Sequence, residues 1–193
     1  MPERHTTRLN PRDPLVIDIR ELGRRPGSMR RVERTVPAPS DLGLELAGVP
    51  EGAPLELDLR LEAVVEGVLI SGTVTGPLSG ECGRCLVPVS DEVVVDLQEL
   101  FAYPDSATDE TTEEGEVGRI EGDLIDLEPY VRDAVVLGLP LSPLCADDCR
   151  GLCATCGMRW DELPADHTHD QIDPRWAALT ERFGQHQTDS QES

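Results

Sequence analysis

Leu55-Glu-Leu-Asp-Leu-Arg-Leu-Glu-Ala-Val-Val65 alternates apolar and polar side chains almost without a break. A period of two sends successive side chains to opposite faces of a strand. Leu55, Leu57, Leu59, Leu61, Ala63 and Val65 are therefore expected to face a core, and Glu56, Asp58, Arg60 and Glu62 to face water. Glu66-Gly67 reads as a turn and residues 68–75 as the returning strand of a β-hairpin. A third, longer strand is expected over 87–101, where Val93, Val95 and Leu97 alternate. Upstream, Pro14-Leu-Val-Ile-Asp-Ile19 reads as a strand with Leu15, Ile17 and Ile19 on one face. Gly80-Glu-Cys-Gly-Arg-Cys85 falls between the second and third strands, so a first cysteine pair is placed on a hairpin tip.

Two segments carry helix signals. Glu128-Pro-Tyr-Val-Arg-Asp-Ala-Val-Val-Leu137 has proline in the first turn, where no backbone donor is needed. It turns Leu127, Val131 and Val135 toward the core and stops at Gly138. Asp173-Pro-Arg-Trp-Ala-Ala-Leu-Thr-Glu-Arg-Phe183 has an N-cap aspartate, a proline at the first position and Gly184 at its end. The fold class expected is α+β: a mainly antiparallel β-sheet with two short helices and a C-terminal cysteine-rich zinc-knuckle region. Residues 1–14 are expected to be flexible, 15–183 to form one domain, and 184–193 to be a disordered tail. The acidic stretch 104–123 lacks apolar periodicity and is expected to be a disordered loop.

The chain has 193 residues and a formal net charge of −21, from 38 acidic and 17 basic side chains. A chain this long can bury roughly 70% of its unfolded surface. Every basic residue is arginine, and the charge is unevenly spread. Residues 1–36 carry nine Arg against five acids, whereas the rest carries eight Arg against 33 acids. An acidic body of this kind opposes direct wrapping of a phosphate backbone and favours a basic partner. Met1–Arg8 has no apolar stretch after its charges, and the longest apolar run, 134–141, is far short of the roughly 20 residues of a membrane span. A cytoplasmic protein without membrane contact is expected, and six cysteines in a reducing compartment read as metal ligands or redox thiols.

Cys82-Gly-Arg-Cys85 and Cys153-Ala-Thr-Cys156-Gly157 have the spacing that lets two thiolates hold one ion. Cys145-x-x-x-Cys149 lies between them and His167-x-His169 beyond, giving eight candidate ligands, enough for two tetrahedral zinc ions. Two pairings are open. Cys82, Cys85, Cys145 and Cys149 can form one site, leaving Cys153, Cys156, His167 and His169 for a second. Alternatively Cys82, Cys85, Cys153 and Cys156 close a single ribbon. A site joining the hairpin tip to the C-terminal cysteines is preferred, because an ion linking distant segments contributes most to a small core. A redox dithiol at Cys82 and Cys85 is the catalytic alternative, but no βαβ unit surrounds it. Phosphate-binding glycine loops with lysine, nucleophile elbows and an aromatic stacking platform are all missing from the sequence.

Four stretches together resemble one family. They are Cys82-Gly-Arg-Cys85-Leu86 before a valine-rich strand, Gly122-Asp-Leu-Ile-Asp-Leu127 with the helix and Leu139-Pro-Leu-Ser-Pro143, the cysteine block from Cys145 to Gly157, and Ile172-Asp-Pro-Arg-Trp-Ala-Ala-Leu179. The chain resembles the YceD family, the large ribosomal RNA subunit accumulation proteins, over about residues 15–183. Members usually carry a Cys-x-Cys after the last knuckle, where His167-x-His169 stands here. The resemblance implies a non-enzymatic role in accumulation or maturation of 23S rRNA. The family gene often neighbours one for a small basic large-subunit ribosomal protein, so the partner implied is such a protein or a pre-ribosomal particle. The alternative is direct rRNA contact through Arg24, Arg25, Arg30 and Arg31.

Overall fold

The structure, a computed structural model, describes residues 9–104, 106–113 and 116–169. These fall into two units divided after Cys149. The first contains strands β1 (Val16–Asp18), β2 (Met29–Pro37), β3 (Ala47–Gly48), β4 (Pro54–Ala63), β5 (Gly67–Glu81) and β6 (Pro88–Ala102), helix α1 (Ala107–Thr111), strands β7 (Gly118–Arg119) and β8 (Leu124–Asp126), and helix α2 (Glu128–Gly138). The order β2-β4-β5-β6-β7 makes the main sheet, with β3 also on β5, and β1 pairs with β8 in a second, two-stranded sheet. All pairings are antiparallel except β6 with β7. The class is α+β, as the residue pattern implied.

Leu55, Leu57, Leu59, Leu61 and Ala63 are all at most 2% exposed. Register explains this: Leu57, Leu59 and Leu61 stand beside Val74, Gly72 and Ile70 of β5, and Leu59 beside Val32 of β2. Val65, by contrast, is 76% exposed, because β4 ends at Ala63 and the chain is already turning. The returning strand runs to Glu81, six residues past the expected end, through Gly76, Pro77 and Gly80.

Helix α2 covers the inner face with buried Val131 and Val135. Its start is fixed by Asp126, whose Oδ1 accepts from the Glu128 N–H at 2.9 Å. Phe101 of β6 meets Tyr130 edge-on, with centroids 4.9 Å apart. Within the acidic stretch 104–123, where no regular structure was expected, lie α1 and β7. Ser106 caps α1 by accepting from the Asp109 N–H at 3.2 Å, and Arg119 donates to Asp109 Oδ1 at 2.6 Å. The Ser106 cap, the pairing of β7 with β6 and the Arg119–Asp109 contact together order part of this stretch. The helix expected over 173–183, residues 1–8 of the expected flexible N-terminus, and the tail 184–193 lie outside the described residues.

Candidate metal centres

The eight candidate ligands fall into two groups, each inside one unit: Cys82, Cys85, Cys145 and Cys149, and Cys153, Cys156, His167 and His169. Within each group the ligand atoms lie within 4.8 Å of one another. The first of the two pairings left open by the sequence is therefore the one the fold assembles.

The first group is built by the tip of the β5–β6 hairpin. The chain after Cys82 curls so that the Leu86 N–H donates to the Cys82 carbonyl at 2.9 Å. Leu86 then takes a left-handed φ of 61°. The second group repeats this turn, with the Gly157 N–H on the Cys153 carbonyl at 2.8 Å and a φ of 72° at Gly157. Glycine occupies this conformation without a steric penalty, whereas leucine there costs roughly 1–2 kcal/mol.

Residues 143–149 are tied to the hairpin tip by groups that cysteine spacing does not reveal. The Gly83 N–H donates to the Pro143 carbonyl at 2.8 Å, and Arg84 Nη1 to the Cys149 carbonyl at 2.9 Å. Gly83 lets the two segments come close: a Cβ there would lie 2.2 Å from Ser142 Oγ and would turn that hydroxyl aside. The resulting Sγ separations are 3.8 Å for Cys82–Cys149 and 3.5 Å for Cys85–Cys145. Four sulfurs about 2.3 Å from a tetrahedral ion are about 3.8 Å apart, so the spacing suits such an ion.

Electrostatics give the same fit. Burial pushes the Cys82 thiol up, but the backbone N–H groups of Cys145, Arg84 and Cys85, with the Cys85 side chain, outweigh it and bring it down to about 6. Hydrogen bonds to the Cys85 and Cys149 thiols push Cys145 up to about 12. A cluster that ionises one thiol and holds back another is an incipient polyanion, and a cation lets all four deprotonate.

In the second group the backbone N–H groups of Cys156 and Thr155, with the His167 ring, bring the Cys153 thiol down to about 6. Cys156 Sγ stands 3.7 Å from His167 Nε2, and the His167 and His169 rings meet edge-on at 4.4 Å between centroids. Cys153 is buried, whereas Cys156 and His169 are exposed. Arg150 lies over the Trp160 ring at 4.7 Å, closing the apolar side of this small unit. Both groups are complete four-donor sets, able to hold a metal ion with no position left open for substrate.

The four arginines considered for rRNA contact are placed differently. Arg31 forms a two-pronged pair with Asp58 at 2.8 and 2.7 Å and meets Glu33 at 2.9 Å. Arg30 reaches Glu21 at 3.3 Å and the Asp18 carbonyl at 3.2 Å. Arg24 lies over the Tyr103 ring at 4.8 Å. Arg25 has no such contact among the described residues. Arg34, at the end of the Arg-rich stretch 20–34 offered for rRNA contact, donates to the Pro14 and Val16 carbonyls at 3.1 and 3.3 Å and laces β1 to β2. Exposed pairs such as Arg31–Asp58 contribute little, so Arg31→Ala is expected to leave the urea midpoint essentially unchanged.

No helix among the described residues is long and apolar enough to cross a membrane. No solved structure matches the chain significantly. An uncharacterized protein of Mycobacterium tuberculosis strain H37Rv is 57% identical over 171 residues, covering 89% of this chain and 82% of the relative. A Mycobacterium leprae relative is 51% identical over 176 residues, 91% of this chain and 81% of its own length. The Bacillus subtilis protein YlbN is 28% identical over 128 residues, 66% of this chain and 73% of its own. The family model described as large ribosomal RNA subunit accumulation protein YceD matches residues 70–181, which include the hairpin tip, both cysteine groups and α2. With that match and these relatives, the chain belongs to the YceD family.

Proposed function

We propose that the protein is a non-enzymatic cytoplasmic factor for large-subunit (23S) rRNA accumulation or maturation. In this reading it binds a basic ribosomal protein, or a pre-ribosomal particle presenting one, on a scaffold held by two structural zinc ions. The observation that carries the reading is the charge arrangement. The body is strongly acidic, and three of the four arginines offered for rRNA contact are engaged within the fold. Opposite charge draws a basic protein to such a surface and keeps it apart from stray RNA before assembly. Donor sets without an open coordination position support structural ions rather than a catalytic one.

The test is capture from lysate at low salt on the full chain, with identification of what is retained. A basic large-subunit ribosomal protein is expected, released as salt is raised, and its retention should survive neutralisation of Arg24, Arg25, Arg30 and Arg31. Recovery of free rRNA without ribosomal protein, abolished by that neutralisation, would overturn the reading in favour of direct RNA contact.

A further inference from the structure

Strand β6 is 15 residues long and pairs with β5 along its whole length. On its other side β7 covers only Phe101 and Ala102. The hydrogen bonds at its ends fix which backbone groups face that open side. The Ala102 carbonyl accepts from Ile120 on the β7 side, whereas the Tyr103 N–H and the Val87 carbonyl bond to Glu66 and Cys82 on the β5 side. The register has no bulge. Backbone polarity alternates along a strand, so Ser90, Glu92, Val94, Asp96, Gln98 and Leu100 direct both N–H and C=O to the open side. β7 reaches back as far as Leu100, whose carbonyl the parallel pairing of Phe101 with Gly118 sets against the Gly118 N–H, and no strand among the described residues pairs with Ser90 to Gln98 there. All but Leu100 are exposed, and Val94 is 58% so.

Such an edge is a template for another strand unless it is blocked. Its charges select what can dock. Strand β6 carries Asp91, Glu92, Asp96 and Glu99 and no cation, and Asp133 of α2 acts on Glu99, whose carboxyl burial and that neighbour both push up. None of the five has an ion pair among the described residues, in contrast to Arg31–Asp58 and Arg60–Glu62 on β2 and β4. A second copy of the chain, paired edge to edge about Val94, would set Glu92 against Asp96, and like charges directly opposite are destabilising.

We propose that the open edge of β6 receives an extended Arg- or Lys-bearing segment of a protein partner as an added β-strand. Its main chain would bond to residues 90–98 and its cations would neutralise Glu92 and Asp96 on one face and Asp91 and Glu99 on the other. This rests on the reading of a basic partner and assigns it a docking surface.

The experiment uses the full chain and a capped alternating Lys-Val peptide of about eight residues, within the usual strand length. Hydrogen exchange is read at the Val94, Asp96 and Gln98 amides. They should exchange fast in the free protein and become protected when peptide is added. A copy of the peptide N-methylated on alternate amides keeps its charge but cannot pair, and should bind at least about tenfold more weakly. The substitution Val94→Pro removes an N–H that β5 does not use, so the fold should persist while peptide binding is lost. Glu92→Gln with Asp96→Asn should weaken binding about tenfold and flatten its salt dependence. Binding that leaves the three amides unprotected, or equal affinity for the methylated peptide, overturns the proposal even if Val94→Pro proves unfolded. Ribosomal-protein capture reads the underlying function separately: capture undiminished by a folded Val94→Pro chain sinks the edge alone, and no capture by the unaltered chain sinks the basic-partner reading.

Discussion

Replacing Cys82 with serine is expected to destabilise the first unit by roughly 3–5 kcal/mol, the largest effect of any single substitution at the two centres. Cys82 is fully buried, and its sulfur is 3.8 Å from Cys149. An ion held by all four sulfurs would clamp residues 143–149, which otherwise have three hydrogen bonds from Gly83 and Arg84, onto the hairpin tip. Structural zinc contributes about 10–16 kcal/mol in small finger peptides, so losing one ligand removes a large share of the clamp. The thermal midpoint should fall by about 10 °C or more. Elemental analysis of chain prepared under reducing conditions without chelator should find two zinc ions, and Cys82→Ser should leave one. Chelator should lower the midpoint of the unaltered chain and leave that of the substituted chain less affected. A metal-free, equally stable preparation would sink the zinc reading.

Leu59→Ala is expected to cost about 4 kcal/mol, in the upper half of the 2–5 kcal/mol range for such truncations. Leu59 is fully buried on β4, flanked by β2 and β5. Its neighbour on β5 is Gly72, which has no side chain to move into the space and cannot gain one: a Cβ there would lie 2.0 Å from the Asp58 carbonyl oxygen. The cavity therefore stays open, and cavity volume sets the penalty. Urea denaturation should show the loss with an unchanged slope. Thr73→Ala, on the outward face of the same region, should change stability by less than about 0.5 kcal/mol. Equal losses at the two positions would mean that the inward face of β4 is not the core.

The leucines of β4 could be read directly because a half-buried strand writes its burial into every second residue. Val65 continued that pattern and misled, since the chain reverses at a point the alternation does not mark. The length of β5 was hidden by Gly76, Pro77 and Gly80, poor strand formers that pairing with β6, and at Gly80 with β3 as well, carries along. Helix α1 and strand β7 are joined by Arg119 meeting Asp109 ten residues away, and β7 is placed by pairing with β6; no local pattern announces either contact. Cysteine spacing named the eight ligands and left their grouping open, because grouping is a property of which segments the fold brings together. The roles of Arg30, Arg31 and Arg34 were equally illegible. Apart from Glu33 beside Arg31, their partners lie on or just before β1, on β4 or in the turn after β1, and become neighbours only once strand order and register are set.

The two knuckles share one backbone turn, but Leu86 and Gly157 hold it under different tension. At the second centre the closed shape is relaxed, because glycine occupies the left-handed region freely. At the first, leucine is held there against its own preference. Gly157 can keep that shape at no cost, whereas at Leu86 the Leu86 N–H bond to the Cys82 carbonyl and the Cys82 N–H bond to the Val87 carbonyl must hold a bent spring closed. The more deeply buried centre is therefore the one whose turn stores strain, and Leu86→Gly should relax it without opening the hairpin tip.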